Sequence, residues 1–324
     1  MNFAILGAGN IAHTMASTIL NMKHEDIHLY AIAARNLKKA QEFAKTYQIP
    51  VSYGSYEELV KDENIDLIYI ATPHSHHYAH AKLCIKHKKA VLCEKSFCAN
   101  AKQTEEILQL AKKQNVFISE AIWTRYMPSR TIIKDILDSN ILGKLHSIQA
   151  NLGYPIKDVP RMKDPNLAGG ALLDVGVYTL NFAMMAFGED ITDIKSHALM
   201  SKEGVDLLDS ITLFWKDEKC AVLHASMMSA TDRMGYIYGE QGYLAVTNIN
   251  NPEKIERFDN DHNLIESYPI PLQVSGYEYK VLACYDALKN NAIECPQMPH
   301  KLTLHIMKIM DTIRSQWNMK YPFE

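Results

Sequence analysis

Over the first 120 residues, short apolar runs alternate with stretches in which apolar side chains recur at helical spacing. The runs "FAIL", "HLYAIAA", "VSYG", "IDLIYIAT", "AVLCE" and "VFISEA" predict six strands. The segments between them predict helices at 10–22, over "LKKAQEFAKTY" and "SYEELVKD", and at about 77–88 and 100–113. This alternation is the signature of βαβ units around a parallel sheet, and six strands complete a dinucleotide-binding fold. After residue 121 the rhythm changes. "TIIKDILDSN" predicts a helix, "LHSIQANLGY" a strand and 171–187 a long apolar helix; "DSITLFW", "CAVLHASMM", "RMGYIYG" and "YLAVTNI" then predict closely spaced strands, and helices at about 277–289 and 300–315 end the chain. The expected architecture is α/β: an N-terminal Rossmann dinucleotide-binding domain, 1–121, and a C-terminal α+β domain, 122–324, with a large, mostly antiparallel open sheet. No repeat and no transmembrane run is read from the pattern.

Composition narrows the partners. The 324 residues are 47% hydrophobic and 22% charged with a formal net charge of −3, and Lys and Arg are spread along the chain, which argues against nucleic acid and membrane surfaces. A small molecule fits better. The chain enters its first strand at once, without a basic and apolar leader, so a cytoplasmic location is expected. Six cysteines without a C-x-x-C spacing read as reduced packing thiols. The cluster "HSHHYAH" lacks partner carboxylates or cysteines, so no metal is expected.

"GAGNIA" follows the first strand and opens the first helix, which is the context the G-x-G-x-x-G/A fingerprint requires. Gly7 permits the tight turn, Gly9 and the N–H groups of Asn10 and Ile11 let a pyrophosphate approach the helix N-terminus, and Ala12 closes the motif. The second strand ends in "AARN", where an acidic residue would bond a free ribose 2′-OH. Ala34 and Arg35 stand there instead, and a guanidinium suits a 2′-phosphate, so NADP is expected over NAD.

Four further segments carry chemistry: "IATPHSHHYAHA", "AVLCEKSFCANA", "SEAIWTRYMPS" and "AGGALLDVGVY". In the last, Asp174 and Tyr178 stand four residues apart, which on a helix places both side chains on one face. Together these segments resemble the superfamily of glucose–fructose oxidoreductase, inositol dehydrogenase and the rhizopine-catabolism oxidoreductases (Gfo/Idh/MocA), and most of all its dimeric dihydrodiol dehydrogenase branch, whose members also act as xylose dehydrogenases. The family's E-K-P stands here as Glu94-Lys95-Ser96. Its T-P-N-x-x-H stands as Thr72, Pro73, His74 and, at the last position, His77. Tyr178 matches the dihydrodiol dehydrogenase branch, where many relatives carry histidine.

The resemblance implies that Thr72, Pro73, His74, His77, Glu94, Lys95 and Trp123 join Gly7, Gly9, Asn10, Ile11, Ala34 and Arg35 in binding the cofactor. It also implies that the helix bearing Asp174 and Tyr178 faces the nicotinamide. Oxidation of a secondary alcohol takes a hydride from carbon and a proton from oxygen, so a base must reach that oxygen. Tyr178 is the candidate acid–base. Positive charge from Lys95 and the oxidised nicotinamide would lower its phenol from the free value of about 10, and Lys95 would stabilise the anionic oxygen. Asp174 would orient a substrate hydroxyl or Lys95, while Trp123, Arg125 and Tyr126 form a candidate sugar platform. The expected function is hydride transfer between NADP and a sugar, polyol or cyclic diol. A glycosidase using transient oxidation and a non-catalytic dinucleotide sensor are the alternatives. Because "CAVLHASMM" and "DSITLFW" are apolar beyond alternation, the second domain's sheet is expected to pair in a homodimer.

Overall fold

The computed structural model describes residues 1–324. Strand β1 (Asn2–Leu6) is an apolar run with Phe3 through Leu6 at 0% exposure, as a strand covered on both faces must be. Helix α1 (Asn10–Met22), β2 (His28–Ala33), α2 (Leu37–Tyr47), β3 (Val51–Tyr53), α3 (Tyr56–Leu59), β4 (Leu67–Ile70), α4 (His74–Lys86), β5 (Ala90–Cys93), α5 (Ala101–Gln114) and β6 (Ile118–Glu120) follow. The strands pair in parallel in the order β3-β2-β1-β4-β5-β6. The order reverses between β1 and β4, and the strand ends there leave the crevice in which open sheets hold ligands. Helices α2, α3 and α5 begin at Asn36, Ser55 and Asn100, whose side chains each accept a hydrogen bond from a first-turn N–H. The two helices at the reversal, α1 and α4, begin at Gly9 and Pro73 without a side-chain cap. Helix α4 starts three residues before its sequence-based position, because Pro73 supplies a backbone already set for a helix entry.

A 3₁₀ turn at Trp123–Arg125 leads to α6 (Pro128–Asp138), β7 (Leu145–Gly153) and α7 (Pro160–Lys163). A π-helical turn, Leu172–Gly176, then enters α8 (Val177–Phe187). Strands β8 (Ile191–Met200), β9 (Asp206–Trp215), β10 (Cys220–Ser226), β11 (Gly235–Gly239), β12 (Gly242–Thr247), β13 (Lys254–Phe258) and β14 (Leu264–Tyr268) precede α9 (Glu278–Lys289) and α10 (His300–Gln316). The second sheet runs β14-β13-β12-β11-β7-β10-β9-β8, antiparallel except where β7 meets β10. Its inner face carries Ile148, Leu213, Leu223, Ile237 and Leu244, all at 0% exposure, beside the buried α8. Gly235 is needed there: a Cβ would lie 2.5 Å from the Phe182 ring. The run Pro165–Phe187 is long and apolar enough to cross a bilayer, yet 89% of its most apolar window is buried in the protein, as in a core helix.

The chain forms two units, Met1–Tyr126 with Gln273–Met307, and Met127–Leu272 with Lys308–Glu324. The sequence pattern assigned everything after residue 121 to the second domain; the structure places 273–307 in the first unit. Long-range bonds hold that segment there. Thr18 Oγ1 lies 2.8 Å from Ser275 Oγ, the Ile118 N–H donates to Ile293 O at 3.0 Å, and Lys280 is buried against Glu94.

Candidate active site

In the first unit, Gly7 has φ +106°, and a Cβ on it would stand 2.8 Å from Ala71 O, so only glycine closes this turn. Gly9 is different. It is exposed, and the single atom a Cβ would meet is Ala71 O at 4.0 Å. The first turn of α1, with Asn10 exposed and Ile11 half-buried, is therefore open to an anion, while Ala12 is buried behind it. Ala34 is buried and donates its N–H to Tyr53 O; Arg35, the next residue, is exposed. Burial first, and then the Arg35 charge, lowers the pKa of His76; burial, His76, His77 and Arg35 push His80 down to about 4. His80 is thus neutral at pH 7, and an anionic group beside Arg35 meets no carboxylate in the turn Ala34-Arg35-Asn36. This cradle fits the pyrophosphate of a nicotinamide dinucleotide.

At the end of β4, Thr72 Oγ1 lies 3.0 Å from His80 Nδ1, Pro73 caps α4, and His74 is its first, buried residue. His77 is wholly buried, with Nε2 2.7 Å from Thr72 O and Nδ1 2.9 Å from Ser96 O. The sequence reading grouped it with cofactor contacts. The structure makes it a brace between the loops after β4 and β5.

Glu94 ends β5 inside the protein. Its Oε1 accepts from Tyr69 Oη at 2.5 Å and Lys280 Nζ at 2.6 Å, and its Oε2 from the Lys95 N–H at 3.3 Å. Burial pushes this carboxyl up, but Lys280, Tyr69 and the charge of Lys95 outweigh it and hold Glu94 below the usual carboxylate range. Lys95 is half-buried, and the Lys95–Ser96 peptide is cis. Trp123 stacks on Tyr277 with centroids 4.1 Å apart and planes 9° from parallel. Its two neighbours turn inward. Tyr126 donates to Glu120 O at 2.6 Å and lies 2.9 Å from Ser119 Oγ; Arg125 is 4% exposed, and its charge opposes the burial that pushes Glu120 up to about 7. All three residues read as a sugar platform are buried: Trp123 is 5% exposed against Tyr277, and the polar ends of Arg125 and Tyr126 turn to the interior.

In the second unit, Gly169 and Gly170 allow a close crossing: a Cβ on Gly169 would lie 2.4 Å from Met162 O and one on Gly170 2.1 Å from Asp206 Oδ1. The helix expected at 171–187 is helical over that whole range, its entry a π-turn that leads into α8. Asp206, on β9, accepts the Leu172 N–H at 2.6 Å, and Gly176 brings the turn against Asp209. Such π-turns recur at functional sites. Asp174 lies in the turn, and Tyr178, 8% exposed, follows in α8. Asp174 is gripped by Arg161, Nη1 to Oδ1 at 3.0 Å and Nη2 to Oδ2 at 3.3 Å; the guanidinium is half-exposed and the carboxylate buried. Sequence reasoning missed Arg161, which sits in the four-residue helix α7, too short to show a period. It also missed Lys280, although a lysine between Tyr277, Val281, Cys284 and Ala287 on one helical stripe is a readable signal.

Residues 1–121 match an oxidoreductase family with an NAD-binding Rossmann fold, and 131–245 match the GFO/IDH/MocA C-terminal domain. Over 99% of both chains, the sequence is 33% identical to the trans-1,2-dihydrobenzene-1,2-diol dehydrogenase of Xenopus laevis. A 3-ketoreductase from Actinomadura kijaniata, solved with NADP and TDP-benzene, superposes with a TM-score of 0.89 at 20% identity, covering 97% of each chain. The aldose-aldose oxidoreductase of Caulobacter crescentus, solved with glycerol, gives 0.87 at 18% identity, covering 97% of this chain and 96% of the other. At these identities the likeness to the two solved structures is one of fold.

The two acids under the π-turn set a pH dependence. Burial pushes Asp206 up to about 6, and burial with the Asp206 charge pushes Asp209 well above the carboxylate range. Groups whose folded pKa is raised contribute stability that is full below the unfolded value, about 4, and lost as pH rises through the folded value. In urea titrations, wild type should lose on the order of 1–3 kcal/mol of unfolding free energy between pH 4.5 and 7 that Asp206→Asn does not lose. Parallel slopes for the two proteins would contradict this account of the turn.

Proposed function

Since the chain belongs to the Gfo/Idh/MocA oxidoreductase family, in its dihydrodiol dehydrogenase branch, we propose that it is an NADP-dependent dehydrogenase of a sugar, polyol or cyclic diol. The observation that carries this reading is the open cradle at Gly9, with the Gly7 N–H bonded to Ala33 O at the end of β2 and the exposed Arg35, not a carboxylate, in the β2–α2 turn that follows. Gly7, Gly9, Asn10 and Ile11 would hold the pyrophosphate, Ala34 and Arg35 the adenosine ribose with its 2′-phosphate, and Thr72, Pro73, His74, Lys95 and Trp123 the nicotinamide half. His77 and Glu94 would support those residues from behind. When bound, the nicotinamide supplies the hydride acceptor for oxidation and the hydride donor for reduction.

The chain's own residues handle the oxygen. Tyr178 Oη takes the proton of the substrate hydroxyl in oxidation and returns it in reduction. Lys95 Nζ stabilises the oxygen as it becomes anionic. Asp174, fixed at both oxygens by Arg161, accepts a hydrogen bond from a neighbouring substrate hydroxyl and so orients the reacting carbon. Trp123 offers an apolar wall to C–H faces.

The reading includes a homodimer. On the sheet face away from α8, Phe214 and Val222 are 37% and 47% exposed. Tyr236, Tyr238, Tyr243 and Phe258 form a ring cluster there, with Tyr243 and Phe258 stacked at 5.0 Å. An aromatic, apolar face of this kind suits a second copy of itself. Light scattering at micromolar concentration should give twice the 36.8 kDa chain mass, and Val222→Asp with Tyr238→Asp should halve it; a monomeric wild type would exclude the dimer.

Tyr178→Phe keeps the ring and removes the hydroxyl. Thermal unfolding and NADPH affinity by fluorescence titration should be nearly unchanged, while turnover should fall by on the order of 10² to 10⁴. The rise of oxidation rate with pH should disappear with it. Wild-type turnover in this variant would move the proton to another group.

A further inference from the structure

Lys280 is a fully buried lysine, contributed by α9 to the interior of the first unit. Its side chain has 0% exposure, its Nζ donates to Glu94 Oε1 at 2.6 Å and to Ala121 O at 3.4 Å, and it lies over the rings of Tyr69 at 5.1 Å and Tyr277 at 4.7 Å. Removing two charges from water is expensive, and an apolar pair of similar volume commonly serves a fold as well or better. Stability alone therefore does not account for this pair.

Its placement does. Glu94 turns its second oxygen to the Lys95 N–H at 3.3 Å, and Tyr277, under the same ammonium, stacks on Trp123 at 4.1 Å. One buried cation thus joins the backbone that carries Lys95 to the ring pair that contains Trp123. We propose that Lys280 is a positioning residue for the reaction: through Glu94 it fixes the backbone of Lys95, and through Tyr277 the plane of Trp123. The proposal rests on the reading that Lys95 stabilises the reacting oxygen. Without the Lys280 charge, the Glu94 carboxylate still has Lys95 as a nearby cation, and a lysine drawn back toward Glu94 is misplaced for catalysis. Misplacement on the scale of an ångström costs about a hundredfold in rate.

The test is a double-mutant cycle with the full chain and NADPH. Lys280→Met should lower kcat by about 10- to 100-fold, with the Kd for NADPH within about threefold of wild type, because the phosphate contacts lie elsewhere in the unit. In a Lys95→Met background the same change should cost less than about twofold, since a group acting through Lys95 has nothing left to position. If Lys280→Met does not fold, Lys280→Gln, which keeps a polar donor beside Glu94 without the charge, takes its place in the cycle with the same expected values. A wild-type kcat, or an equal loss in both backgrounds, overturns the positioning role. If Lys95→Met itself turns over like wild type, the role proposed for Lys95 fails and the inference falls with it. If Lys95→Met is crippled while the Lys280 variant is not, the inference alone fails.

Discussion

Glu94 gathers three donors around one buried carboxylate at the end of β5: a tyrosine from the neighbouring strand, a lysine from a helix 186 residues further along the chain, and the backbone of the lysine that follows it. An unpaired carboxylate could not stay ionised at such depth. Each donor is therefore held in place by the charge it satisfies. The constraint orders more than the strand end. It draws α9 into the first unit, sets Tyr277 against Trp123, and leaves the half-buried Lys95 beside a fixed negative charge. His77 braces the same loop from the other side through Ser96 O.

The second unit uses buried acids differently. Asp206 and Asp209 face the inner side of the sheet because the β8–β9 register shifts between Leu199/Leu208 and Met200/Asp206, which lets residues three apart share a face. Asp206 captures a helix-start N–H, and the chain widens into the π-turn that carries Asp174. Arg161 then fixes both oxygens of Asp174. In the first unit the logic is inverted. The helices at the sheet's reversal, α1 and α4, lack the side-chain caps that α2, α3 and α5 possess.

The parallel sheet was legible because its strands are continuous apolar runs and its helices keep a clear amphipathic period, so α2 has the ends its pattern implied. The glycine fingerprint was legible because its context is local. What escaped depends on distant partners. The π-turn follows from a bond to a residue 34 positions away, and the membership of 273–307 in the first unit follows from bonds to Thr18, Glu94 and Ile118. Arg125 and Tyr126 adjoin Trp123 in sequence, yet the 3₁₀ turn sends their polar ends inward to Glu120 and Ser119. Neighbours on a chain share a site only when the backbone lets them.

The central claim, that this chain uses NADP to oxidise or reduce a CH–OH centre, is tested most directly by steady-state absorbance of NADPH with aldoses, polyols and cyclic diols, using both nicotinamide cofactors. Turnover with at least one of these substrate classes is the predicted result, with kcat/KM for NADP(H) above that for NAD(H) and the gap closing in Arg35→Ala as the 2′-phosphate loses its guanidinium. Tight dinucleotide binding with no turnover on any of them would contradict the account and make the protein a sensor of the cofactor rather than an enzyme that uses it.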